Sequence, residues 1–207
     1  NPTVEHVRRG IEIAKAEKPD VLIALGGGSV IDTVKAISVG TFYEGDVWEL
    51  AVGEREAKKA LPIITVLTIP ATSSEMNSTA VISNDEIKRK EGFTNPLMFP
   101  KVSILDPELT YSIPMLQTAI SATDIISHLM EGYINHNDPW APMQDRFAQG
   151  MIKSVIDCMD RLQKDPKDPQ ARATMMWVST FAWNGFYVCG IGPFDSLIHM
   201  VGHTFSA

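Results

Sequence analysis

Val21-Leu22-Ile23-Ala24-Leu25 runs directly into Gly26-Gly27-Gly28-Ser29, after which Val30, Val34, Ala36 and Ile37 restart a helical period. A continuous apolar run bounded by turn residues reads as a strand covered on both faces of a parallel sheet, because crossover helices pack on either side of such sheets. The stretch is therefore a strand, a glycine turn and a helix. Glycines at that junction let the backbone approach a phosphate closely, and the helix start adds exposed N–H donors and the positive end of its dipole. Ser29 adds a hydroxyl. The pattern is neither Gly-x-Gly-x-x-Gly nor a Walker loop, since no Lys-Ser or Lys-Thr follows the glycines. A tight structural turn thus stands beside the phosphate reading.

Upstream, Asn1 or Thr3 caps a helix with Val4, Val7, Ile11, Ile13 and Ala14 on its apolar side, ended by Lys18-Pro19-Asp20. Downstream, Leu61 to Thr68 gives a second buried strand after the polar stretch Glu54 to Lys59, which reads as helix or loop. Thr79 to Ser83 and Val102 to Leu105 are shorter strands, joined by the charged Asp85 to Glu91. The loop Thr68-Ile69-Pro70-Ala71-Thr72-Ser73-Ser74-Glu75-Met76-Asn77 places hydroxyls and an amide at a strand's C-terminal end, where open α/β sheets hold their ligands. Two polar loops at neighbouring strand ends point to one shared ligand. From Pro114 the character changes, with helical patterns through about 114–135, 142–163 and 169–186. The fold class is an α/β nucleotide-binding part with a parallel sheet (1–113), followed by an all-α metal-binding helical domain (114–207).

Within the helical part, Asp124 and His128 stand four residues apart, and His199 and His203 repeat that spacing. Positions i and i+4 share a helix face, so each pair can aim two ligand atoms at one point. A carboxylate with imidazoles suits Fe²⁺ or Zn²⁺. The surroundings strengthen this reading. Asp124 and His128 sit among Ala122, Ile125, Ile126, Leu129 and Met130, and His199 among Leu197, Ile198, Met200 and Val201, where polar groups need partners. His6 and His136 lie in polar stretches and read as solvated. Trp140, Trp177 and Trp183 read as core, with Trp140, next to Pro139, also placed to reach an opening, and Phe181, Phe186 and Phe194 read as the lining of a pocket for an aliphatic tail.

The 207 residues suffice for one large core or two small ones, and the net charge of −7 argues against a nucleic-acid partner. Cys158 and Cys189 show no Cys-x-x-Cys spacing, which fits a reducing compartment. No apolar run is long enough to span a bilayer, and the first residues lack signal-peptide character, so a cytoplasmic protein without a membrane partner is expected.

The glycine turn Gly26 to Lys35, the loop Thr68 to Asn77 and the helix Ala122 to Tyr133 jointly resemble the iron-containing (group III) alcohol dehydrogenases. Within that family they resemble the butanol dehydrogenase-like branch of NAD(P)H-dependent aldehyde reductases. That resemblance implies Asp124, His128 and His199 as metal ligands and Gly27, Gly28 and Ser29 at the pyrophosphate. It places Asp32, Thr68, Ser73 and Asn77 along the nicotinamide half, and Lys90 in the cofactor site. His203 would lie near metal and nicotinamide, either relaying a proton or serving a structural role. Three departures stand out. Thr72-Ser73-Ser74-Glu75 replaces the commoner Thr-Gly-Ser-Glu. The family begins earlier, with an adenosine-binding strand and loop, and continues past Ala207 to a fourth ligand histidine, so the chain resembles a central fragment. The implied reaction is hydride transfer between NAD(P)(H) and a primary alcohol or aldehyde, with Fe²⁺ or Zn²⁺ polarising the substrate oxygen, in a homo-oligomer at full length. A polyol (glycerol-type) dehydrogenase, a dehydroquinate synthase-like enzyme, or a catalytically incompetent fragment that only binds metal or cofactor are the alternatives.

Overall fold

The computed structural model describes residues 2–134 and 140–185, and the chain divides into two compact units. The first comprises Asn1–Leu67 and Ser74–Ile104; the second comprises Thr68–Ser73 and the residues from Leu105 on.

The first unit opens with α1 (Val4–Glu17), whose cap Thr3 accepts the His6 N–H and whose end is turned by Lys18 at φ 50. Val4, Val7, Ile11 and Ala14 form its buried stripe. Then come β1 (Leu22–Gly26), α2 (Gly28–Gly40), a short α3 (Val47–Ala51) and β2 (Ile63–Leu67). A hairpin of β3 (Thr79–Asn84) and β4 (Arg89–Thr94) and a last strand β5 (Val102–Ile104) complete it. The parallel sheet has the order β1-β2-β5, with Ile23 opposite Ile64 and Ile64 opposite Val102. Val4, Val7, Ile11, Ala36, Val39, Ala80, Ile82 and Met98 pack as one core.

Two expectations are corrected here. The charged segment read as a connection contributes β4, which pairs antiparallel with β3 in a register that sets Lys90 opposite Ser83. An exposed two-stranded hairpin needs apolar residues on only one face, so its second strand carries little hydrophobic signal. The sheet also differs from a doubly covered one. Ala24, Ile63 and Leu67 are buried, whereas Ile23 (64%), Leu25 (63%), Val102 (52%) and Ile104 (46%) are exposed. Successive strand residues alternate between faces, so these side chains form two apolar rows on the face that no described element covers.

The second unit contains α4 (Met115–Ile134), α5 (Pro142–Leu162) and α6 (Pro169–Ala182). Ile125 and Leu129, Val155, Cys158 and Leu162, and Ala171, Met175, Val178 and Ala182 recur at helical spacing and interlock as its core. Asp168 caps α6, accepting the N–H groups of Gln170 and Ala171, while Pro169 takes the first helical position, where its missing donor is harmless. Arg172 is buried and ties α4 to the α5–α6 connection by donating to Thr118 Oγ1 (3.0 Å) and the Pro166 carbonyl (2.9 Å). Trp140 and Trp177, expected in the core, are 79% and 57% exposed, and Trp177 meets Phe181 edge-on at 4.8 Å. Among the described residues, no helix is long and apolar enough to cross a membrane.

Candidate functional site

In the first unit, β1 delivers its last residue, Gly26, against the start of α2. A Cβ on Gly26 would lie 2.7 Å from Val30 Cβ, closer than atoms can pack, so glycine is what lets the helix begin so near the strand end. Gly27 occupies the cap position and offers no side-chain hydrogen bond; its carbonyl takes the Val30 and Ile31 N–H groups, both at 3.1 Å. No acidic residue sits in the first turn, and Ser29 is exposed there. Among the described residues the start of α2 therefore carries no first-turn acid and no side-chain cap, an arrangement suited to binding phosphate.

One turn further along α2, the side chains are inward. Asp32 accepts the Ser74 hydroxyl (2.6 Å) on one oxygen and the Val81 N–H (3.1 Å) on the other. Burial pushes its carboxyl above the usual range, opposed by Lys35, by these two donors and by Lys90. Lys35 is fully buried. Its ammonium donates to Ser74 Oγ (3.0 Å), Asn77 Oδ1 (2.9 Å) and the Thr79 carbonyl (2.9 Å), so each of its three hydrogens has an acceptor. Desolvation lowers its pKa to about 8 despite the pull of Asp32 and Glu75. Asn77 Oδ1 also accepts the Thr79 N–H at 3.0 Å. Asp32 and Asn77, singled out from sequence, thus gather around Lys35, which was not, and Lys90, also singled out, acts electrostatically on Asp32. The overlooked signal was a lone lysine three residues after an aspartate, amid the apolar Ile31, Val34, Ala36 and Ile37.

In the second unit, Thr68 opens the loop after β2 and Ser73 closes it in the left-handed region at φ 54. The buried Ser73 hydroxyl donates to the Ser179 carbonyl and accepts the Trp183 N–H at 2.7 Å. Its hydroxyl is committed to the end of α6. On α4, Asp124 is half-buried and His128 is buried, about 40° apart around the axis. The Trp183 ring lies 5.7 Å from the His128 ring at 36°. A carboxylate and an imidazole one turn apart are two donors of a first-row metal set. Among the described residues no group of three or more such side chains converges, and His199 and His203 lie outside those residues.

The model of the iron-containing alcohol dehydrogenases matches residues 1–107, and that of the C-terminal part of the Fe-containing alcohol dehydrogenase family matches residues 118–207. The chain belongs to this family. Among iron-containing alcohol dehydrogenases it is 42% identical over 207 residues to the probable NADH-dependent butanol dehydrogenase 1 of Bacillus subtilis, covering all of this chain and 53% of that one. It is 36% identical to the NADPH-dependent aldehyde reductase YqhD of Escherichia coli, over 100% of this chain and 54% of the relative. The crystal structure of NADH-dependent butanol dehydrogenase A from Thermotoga maritima superposes with a TM-score of 0.94 at 39% identity, covering 100% of this chain and 51% of that one. The chain spans about half the length of these relatives of the family.

Proposed function

We propose that this iron-containing alcohol dehydrogenase family member serves an NAD(P)(H)-linked oxidoreductase that interconverts a small primary alcohol and its aldehyde. The observation that carries the reading is the uncapped, acid-free start of α2 directly behind the glycine turn, with a polar loop clamped beside it. In this reading the α/β part, 1–113, takes the dinucleotide and the helical part, 114–207, takes the metal.

Gly27, Gly28 and Ser29 bind the pyrophosphate through backbone N–H groups at the helix start. Asn77, Thr68 and Lys90 orient the nicotinamide half, and Asp32 acts from behind by fixing Ser74 and the Val81 N–H. Asp124 and His128, joined by His199, hold an Fe²⁺ or Zn²⁺ ion. When bound, that ion supplies a Lewis acid for the substrate oxygen. Trp183 gives the His128 side of the site an apolar wall that limits water. His203 exchanges the proton with solvent, a task suited to an imidazole. The NADH- and NADPH-dependent butanol dehydrogenases and aldehyde reductase among the relatives support this substrate class.

The test is aldehyde-dependent loss of reduced-nicotinamide absorbance with butanal, under anaerobic conditions, with Fe²⁺ and Zn²⁺ in turn. Turnover that requires both metal and NADH or NADPH is expected. Binding of neither dinucleotide, by fluorescence titration, would remove the reading.

A further inference from the structure

We infer that Lys35 is a positioning residue of the cofactor site, holding the loop Ser74–Thr79 against α2 through three hydrogen bonds from one buried ammonium. The inference rests on the cofactor reading above.

The geometry is specific. The three acceptors are a hydroxyl, a side-chain amide and a main-chain carbonyl, drawn from Ser74, Asn77 and Thr79, so the ammonium reaches both ends and the middle of one six-residue segment. Two of these groups are also engaged a second time. Ser74 passes its own hydrogen to Asp32, and Asn77 Oδ1 takes the Thr79 N–H. The glycine turn and Lys35 share one helix. A cation at the back of α2 therefore sets where Asn77 stands relative to the phosphate-binding front of the same helix. Lys35 itself, with all three hydrogens occupied and no exposure, is out of reach of substrate. Its role is to act through Asn77 and Ser74.

The clamp requires the charged form. Neutral lysine has one hydrogen fewer and a weaker hold on neutral acceptors. The charged groups acting on it among the described residues are Asp32 from its own helix and Glu75 from the 3-10 turn Ser74–Met76; Lys90 on β4 acts on Asp32. With the ammonium poised to titrate at about 8, the loop should loosen over the mildly alkaline range.

The experiment compares the chain with Lys35→Met, which keeps the length of the stem and removes every donor. NADH affinity is read by nicotinamide fluorescence, and exchange of the Thr79 amide hydrogen reports directly on Asn77. The expected result is NADH binding weakened about tenfold, or about 1.4 kcal/mol, with faster Thr79 exchange and unchanged far-ultraviolet dichroism. In the unaltered chain, affinity and Thr79 protection should fall together as pH rises through the region of 8, an arm that stands even if the variant does not fold. Equal NADH affinity and equal Thr79 protection in variant and parent, or a flat pH profile, overturns the positioning role and leaves the cofactor reading intact. A parent chain that binds neither NADH nor NADPH overturns both.

Discussion

The Ser73 hydroxyl sits between Ser179 and Trp183, taking the Trp183 N–H at 2.7 Å and giving its own hydrogen to the Ser179 carbonyl. Those two backbone groups are four residues apart, so they would form the next hydrogen bond of α6 if the helix continued. Serine inserts one oxygen into that bond and ends the helix without leaving either group unpaired.

Two substitutions separate the hydroxyl from the backbone. Ser73→Ala keeps a non-glycine residue at φ 54 and loses both bonds, at a cost of about 1–3 kcal/mol. Ser73→Gly loses the same bonds but relieves a left-handed conformation worth about 1–2 kcal/mol. Chemical denaturation should rank the parent first, glycine second and alanine last. Alanine as stable as the parent would show that the bridge contributes nothing.

Asp124→Ala should abolish tight binding of Zn²⁺ or Fe²⁺ measured calorimetrically under anaerobic conditions, with helix content preserved, because Asp124 is only half-buried. His128→Gln should do the same at some cost in stability, since that ring is buried beside Trp183. Unchanged affinity in both variants would remove α4 from the metal site.

Asp46 and Asp32 should move acid stability in opposite directions. Arg8 donates to both Asp46 oxygens, at 2.7 and 3.1 Å, and holds that carboxyl below the usual range. Its contribution is present above the ordinary carboxylate pKa and is lost as pH falls through the depressed one. Asp32 is raised, so its share declines as pH climbs from the ordinary value toward the raised one. Denaturant midpoints across the acid range should show a shallower acid limb for Asp46→Asn, by less than about 1 kcal/mol because the pair is largely solvated. Asp32→Asn should flatten the opposing slope. A parallel shift for both would contradict the assignment.

Much of this was readable from the residues. The strand, glycine turn and α2 follow from a switch of period at Gly26, and α4, α5 and α6 from apolar residues three and four apart. β4 was not readable, since Arg89, Lys90 and Glu91 carry no alternation of apolar residues. Lys35 and Ser73 were legible as residues but not as roles. A lysine in a helix is ordinarily solvated, and a serine in a polar loop ordinarily faces the ligand; only tertiary packing turned both inward. The covering of β1 was misjudged because an apolar run records that both faces suit burial, not that both are buried in this segment.

The rows Ile23–Ile64–Val102 and Leu25–Val66–Ile104 should make the chain adhesive. Leu25→Lys with Ile104→Glu should lower dye binding to exposed apolar surface and reduce light scattering, with little loss of thermal stability, because the altered side chains are already in water. Undiminished scattering would place the adhesive surface elsewhere.

α4 carries Asp124 and His128 on one unbroken helix, so the backbone separation of these two side chains is set by helical pitch. A chelate of fixed bite accepts cations of differing radius only if its remaining donors give way. With Asp124 and His128 as the proposed metal ligands, discrimination between iron and zinc would rest with the donors supplied from outside α4, and exchanging those donors between relatives should transfer metal preference while α4 stays the same.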